Sequence, residues 1–192
     1  MKRPLILAST SPRRKLLLAE LGVPFTIEAP MLEKETLDAA LPLAQALEAL
    51  ALAKARSVAA RAPEALVLGA DTIVCKEGVV LGKPADRAEA AEMLRALSGA
   101  THEVITAVAL CCAARGFART SHAVSKVRFR TLSEQEIADY IATGEPLDKA
   151  GAYGIQGEGG QFVEKLDGAF DNVVGLPLAL VRDLLACWEE AE

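Results

Sequence analysis

Ala8-Ser9-Thr10-Ser11-Pro12-Arg13-Arg14-Lys15 joins a short apolar run to the start of a helix. A helix start leaves backbone N–H groups without intrahelical partners, and the positive end of its dipole favours an anion. Ser9 and Ser11 add hydroxyls there, and Arg13 and Arg14 add planar forks that match phosphate oxygens. Taken alone, the segment also reads as a capped helix with a solvated basic face.

Three further stretches carry chemistry. Gly69-Ala70-Asp71-Thr72 follows a buried apolar run, and the reading places Asp71 where that strand ends. A carboxylate there must face a cleft or a partner, since burying it unpaired is costly, and such strand ends are where α/β active sites gather. Lys83-Pro84 puts a lysine on a rigid turn. Asp148-Lys149-Ala150-Gly151-Ala152-Tyr153-Gly154-Ile155-Gln156-Gly157 combines small residues, which let backbone approach a ligand, with polar ones able to meet a base or a phosphate. Together these are cations for phosphates and carboxylates for a divalent metal or a general base. Metal-assisted hydrolysis of a nucleotide anhydride needs that set.

The elements that position them are mixed. Leu5 to Ala8 reads as a buried strand; Ser11 caps a helix with Pro12 first and an apolar stripe at Leu17, Leu18 and Leu21, closed by Gly22. Val23 to Ile27 is a short strand. An acidic loop with Glu33, Glu35 and Asp38 leads to Pro42, which opens a long Ala/Leu-rich helix to about Arg61. Ala65 to Ala70 is the next strand. Ile73 to Cys75 and Val79 to Leu81 flank a Lys76-Glu77-Gly78 turn as a hairpin. Asp86 with Glu89, and Ser133 with Glu136, are capping-box patterns for helices to about Leu97 and Thr143. His102 to Leu110 and Thr120 to Phe129 alternate as long strands. Phe162 to Leu166 and Phe170 to Val174 read as strands around Gly168, and Pro177 opens a final helix. The expectation is an α/β fold with a mixed twisted sheet, in one domain over residues 1–192.

Composition excludes several classes. The 192 residues are 52% hydrophobic and 24% charged, a globular balance rather than a disordered or fibrous one. A net charge of −5 argues against a nucleic-acid partner, whose footprint is basic. No run approaches a membrane span, and the apolar stretch after Met1-Lys2-Arg3 is too short for a secretory signal. Cys75, Cys111, Cys112 and Cys187 form no C-x-x-C, so the expectation is a reduced, cytoplasmic protein without a disulfide framework or zinc.

Some motifs mislead. Gly78 to Pro84 is one residue short of a Walker A loop and has Pro84 where Mg²⁺ needs a hydroxyl. The glycines from Gly154 to Gly160 lack the strand–turn–helix context of a dinucleotide fold. His102 has no second histidine one helical turn on; His102 and His122 read as ordinary strand positions.

Ser9-Thr10-Ser11-Pro12-Arg13-Arg14, Gly69-Ala70-Asp71-Thr72, Gly82-Lys83-Pro84, Leu97-Ser98-Gly99, Asp148 to Gly157 and Val174-Gly175-Leu176-Pro177 stand in the order of the Maf family, which the chain resembles over nearly its whole length. The resemblance implies a nucleoside triphosphate pyrophosphatase with two lobes around a cleft, similar in fold to inosine triphosphate pyrophosphatases. It also implies a homodimer and a divalent cation, Mg²⁺ or Mn²⁺. The pattern is similar to the dTTP/UTP branch: the 7-methyl-GTP branch typically has Trp at the place of Arg13 and lacks the Ala152 to Gly157 run.

Carried over by position, the resemblance makes Asp71 the proton acceptor or a metal holder. It makes Arg13, Thr72 and Gln156 the positions of substrate choice, and it matches Glu33, Lys54 and Lys83 to family positions. Ser9, Arg13, Arg14, Lys54 and Lys83 would face the triphosphate, and Glu33 with Asp71 the metal. One departure stands out: Lys34 replaces a second acidic residue, a role that Glu35 or Asp38 could take. The products implied are nucleoside monophosphate and pyrophosphate, serving nucleotide-pool cleansing or division arrest. The competing classes are a non-catalytic nucleotide-binding regulator of cell division and a pyrophosphatase for modified or purine nucleotides.

Overall fold

Leu5–Ala8 forms β1, and all four of its side chains are buried, as a strand covered on both faces requires. It lies parallel to both neighbours in the computed structural model, which describes residues 3–191. Leu5 pairs with Phe25 of β2 (Phe25–Ile27) and with Leu66 of β3 (Leu66–Lys76). Between them run α1 (Pro12–Ala19) and α2 (Leu43–Ala59). The remaining elements are β4 (Val79–Leu81), α3 (Arg87–Leu97), β5 (Thr101–Cys112), β6 (Phe117–Phe129), α4 (Glu134–Ala142), β7 (Val163–Asp167), α5 (Phe170–Val174) and α6 (Leu178–Ala191). Strand order is β2-β1-β3-β5-β6-β7, with β4 on β3, in a mixed α/β sheet as expected.

The chain forms two compact units. One comprises the residues up to Asp71, Thr106–Ala123 and those from Gly175 onward. Its β1 and β3 carry unbroken apolar runs, and α2 turns Ala46, Ala51, Ala55 and Ala59 inward, a small-residue face that permits close approach to the sheet. Gly69 of β3 makes that approach: a Cβ there would run into the Ala51 carbonyl and lie 2.9 Å from the Ala55 nitrogen. Phe117 and Trp188 meet edge to face at 5.0 Å in this unit.

The other unit comprises Thr72–Ile105 and Val124–Val174. Its β3–β4 hairpin turns on Glu77 and Gly78, both at positive φ (50° and 83°), which suits the right-handed twist of the strands. Leu94, Leu97, Val127, Phe129, Tyr140, Tyr153 and Phe162 share its core. Phe129–Tyr153 and Tyr140–Phe162 are edge-to-face pairs at 4.7 and 5.0 Å.

Two expectations need correction. The strand does not end before Asp71: β3 is continuous through Lys76, so Asp71 and Thr72 sit mid-strand. The polar pair is tolerated there because the Asp71 carboxylate is half-buried and ion-paired. Phe170–Val174 is a helix, α5, not a strand. The five-residue stretch Phe-Asp-Asn-Val-Val is too short for periodicity to distinguish the two. Here Gly168 (φ 127°) turns the chain sharply, and buried Asn172 donates to the Val104 carbonyl (3.0 Å) and Ser125 Oγ (2.9 Å).

Both N-caps form, but only one of the two expected capping boxes is reciprocal. Ser133 and Glu136 make a reciprocal capping box. Asp86 Oδ1 accepts from the Glu89 N–H at 2.9 Å, while Glu89 accepts from the Ala85 N–H, one residue before the cap. Among the described residues, no helix is long and apolar enough to cross a membrane, and the four cysteines are unbridged.

Candidate active site

The β1–α1 turn is built as its residue types suggest. Ser11 caps α1, its Oγ accepting from the Arg14 N–H. Ser9 is buried, and its Oγ accepts from the Ser11 N–H (3.2 Å) and from Arg14 Nη1 (3.4 Å). Arg14 Nε donates to the Gly175 carbonyl at 2.8 Å, tying this turn to the residue that follows α5. The Arg14 guanidinium is therefore committed to protein partners. Burial pulls its pKa down, the nearby Asp71 carboxylate pulls it back up, and Arg13 and Glu35 add smaller opposing effects. Arg14 thus shares one electrostatic neighbourhood with Asp71, Glu35 and Arg13.

Asp71 gains its partner from α2. Because Gly69 has no side chain, α2 lies close against β3. Lys54 stands next to Ala55 of that contact, and its side chain reaches Asp71, two residues beyond Gly69 on the strand. Lys54 is almost wholly buried, and its Nζ lies 2.9 Å from Asp71 Oδ1 and 2.7 Å from Glu35 Oε2. A buried ammonium needs such compensation. Two carboxylates from different segments therefore converge on one cation.

Not every sequence-derived position joins this group. Glu33 is exposed in the loop, and the ion pair to Lys54 comes from Glu35 instead. Arg13 is half-buried on the first turn of α1. In the second unit, Thr72 is half-buried on β3, while Lys83 and Gln156 are exposed. Lys83 sits between Gly82, whose carbonyl accepts from the Gly151 N–H at 3.0 Å, and buried Pro84. That bond ties the turn of Lys83 to the Asp148 to Gly157 segment.

The sequence reading missed Tyr140 and Glu145. Tyr140 Oη donates to Glu145 Oε1 (2.9 Å) and accepts from the Gly154 N–H (3.1 Å). The other Glu145 oxygen accepts from the Glu158 N–H at 3.0 Å. Burial pushes the Tyr140 phenol well above its usual range, which keeps it a donor. Only the density of glycines downstream hinted at a group packed beneath that loop.

A divalent cation can be tested against these donors. Among the described residues, no three His, Cys, Asp or Glu side chains gather as a metal cage. Asp71 and Glu35 nevertheless converge on one ammonium. One or two carboxylates completed by substrate phosphates and water are the donor set Mg²⁺ takes in nucleotide sites. The residues fit such an ion, held jointly with substrate.

The family model of Maf-like proteins matches residues 4–188. The dTTP/UTP pyrophosphatase of Moorella thermoacetica is 57% identical over 182 residues, covering 95% of this chain and 93% of its own. That of Symbiobacterium thermophilum is 53% identical over 175 residues, covering 91% and 88%. That of Salmonella typhimurium is 52% identical over 183 residues, covering 95% and 91%. With the Ser9–Arg14 turn, the Asp71–Lys54–Glu35 cluster and a match along almost the whole length, the chain belongs to the Maf-like family.

Proposed function

We propose that the protein hydrolyses dTTP and UTP to nucleoside monophosphate and pyrophosphate. The observation that carries this reading is the Asp71 carboxylate held on buried Lys54, in a chain with full-length relatives named dTTP/UTP pyrophosphatase. A water oxygen bonds to the α-phosphorus, the bond from that phosphorus to the bridging oxygen breaks, and pyrophosphate leaves. Asp71 takes the water's proton. A divalent cation on Asp71 and a loop carboxylate, Glu35 here or Glu33 by family position, would make the attacking water more acidic and neutralise phosphate charge.

The chain's own residues do the rest. Lys54 fixes the direction of the Asp71 carboxylate. Arg13 and Lys83 meet the triphosphate, whose leaving half gains charge in the transition state. Arg14, bound to Ser9 Oγ and the Gly175 carbonyl, holds the shape of the turn beneath it. Thr72 and Gln156 choose the base. The Gln156 amide pairs with N3–H and O4 of uracil or thymine, and pocket size refuses purines.

The test separates pyrophosphate from orthophosphate across a panel of nucleoside triphosphates with Mg²⁺ or Mn²⁺. Pyrophosphate from dTTP and UTP, reduced about 10²–10⁴-fold in Asp71→Asn, is the expected result. Wild-type turnover by Asp71→Asn, or orthophosphate as the product, overturns the reading.

A further inference from the structure

Gln156 is exposed at the tip of a turn closed by the Gly157 N–H on the Gly154 carbonyl at 3.2 Å. An amide so placed does not discriminate by itself, since rotated by half a turn it offers cytosine the complementary pattern. Whatever separates uracil from cytosine must hold the orientation of this turn.

The turn is anchored from below by one carboxylate. Glu145 Oε1 accepts from Tyr140 Oη at 2.9 Å and, more weakly, from the Gly159 N–H at 3.5 Å, while Oε2 accepts from the Glu158 N–H at 3.0 Å. Tyr140 Oη in turn accepts from the Gly154 N–H at 3.1 Å. The backbone is therefore caught on both sides of Gln156. Gly157 completes the fit, because any Cβ there would run into the Glu145 carboxylate. Glu145 is itself held: its carbonyl accepts from Lys149 Nζ at 2.8 Å. No sequence motif requires an acid at this place, yet the geometry uses both of its oxygens.

We propose that Glu145, with Tyr140, is a positioning residue for base selection: it fixes the 154–159 turn so that Gln156 presents the orientation that accepts uracil or thymine and refuses cytosine. This rests on the pyrimidine pyrophosphatase reading above. An amide at position 145 has one acceptor oxygen, and its NH₂ would face a backbone N–H, so Glu145→Gln keeps the volume and breaks the anchor.

The experiment compares wild type, Glu145→Gln and Tyr140→Phe. Hydrogen exchange at the Gly154, Glu158 and Gly159 amides is read beside the kcat/KM ratio for UTP over CTP. In Glu145→Gln the three amides lose protection. The UTP/CTP ratio falls about tenfold, the scale of one charge-assisted hydrogen bond, with KM for UTP rising more than kcat falls. Tyr140→Phe moves both readouts the same way by less. Unprotected amides in the wild type overturn the anchor. Lost protection with an unchanged ratio, or a fall in kcat alone, overturns the role in selection. Equal use of UTP and CTP by wild type overturns the inference and leaves the hydrolase reading standing. No pyrophosphate from any nucleotide overturns that reading, and the inference with it.

Discussion

The Lys54 ammonium stands 2.9 Å from the Asp71 carboxylate, and the pair exists because two small groups let their elements approach. Gly69 removes the side chain that would strike the Ala51 carbonyl, and the alanine face of α2 does the rest. Lys54, next to Ala55 in that contact, then reaches mid-strand of β3.

Removing the cation tests this directly. Lys54→Met keeps the stem and leaves Asp71 and Glu35 without their shared partner. On the proposed hydrolase reading, turnover is expected to fall at least about 10²-fold, since Asp71 loses the ammonium that fixes its direction. Unfolding in urea should show a cost of about 1–3 kcal/mol, as for a buried polar group left unpaired.

Gly69→Ala tests the approach rather than the charge. The new methyl group meets backbone, which cannot swing aside, so β3 and α2 must separate. The expected cost is about 1–3 kcal/mol by urea unfolding. At a temperature where the variant is fully folded, its kcat should still lie below wild type, because the Lys54–Asp71 distance has grown.

His102 predicts a pH dependence of stability. It is buried, with Nε2 2.9 Å from Tyr153 Oη and Nδ1 without a hydrogen-bond partner among the described residues. Burial, aided by the charge on Lys76, brings its pKa down to about 4 from an ordinary 6.5. Between those values the unfolded chain binds a proton that the folded chain refuses. This contribution is therefore complete above pH 6.5 and is lost as pH falls toward 4, at up to about 1.4 kcal/mol per pH unit. Urea midpoints measured from pH 7 to 4.5 should fall less steeply in His102→Gln.

The α4 cap predicts an acid-side effect. The Ser133 backbone N–H, then its hydroxyl and Arg130, hold the Glu136 carboxyl down at about 2. Its stabilising effect is present above the ordinary 4.5 and fades as pH falls toward 2. Ser133→Ala should cost about 1 kcal/mol at neutral pH. The Glu136 titration followed by carbon NMR should move upward in the same variant.

Local physics made much of the molecule legible without a structure. The serine cap and Pro12 mark the start of α1, the Ser133–Glu136 box marks α4, and unbroken apolar runs mark β1 and the first half of β3, because each signal lies within a few residues. Asp71, Gln156 and the arginines were nameable from residue type and motif order, and Lys54 only through the resemblance to the Maf family. Three things were decided only by tertiary structure. Asp71 lies inside a strand rather than at its end, since a partner from α2 compensates it there. Phe170–Val174 is helical, because Asn172 finds its partners on β5 and β6. The acid that meets Lys54 is Glu35, and the one beneath the Gln156 turn is Glu145. Which carboxylate meets which donor depends on where distant segments pass in space, and the spacing of residues along the chain does not carry that information.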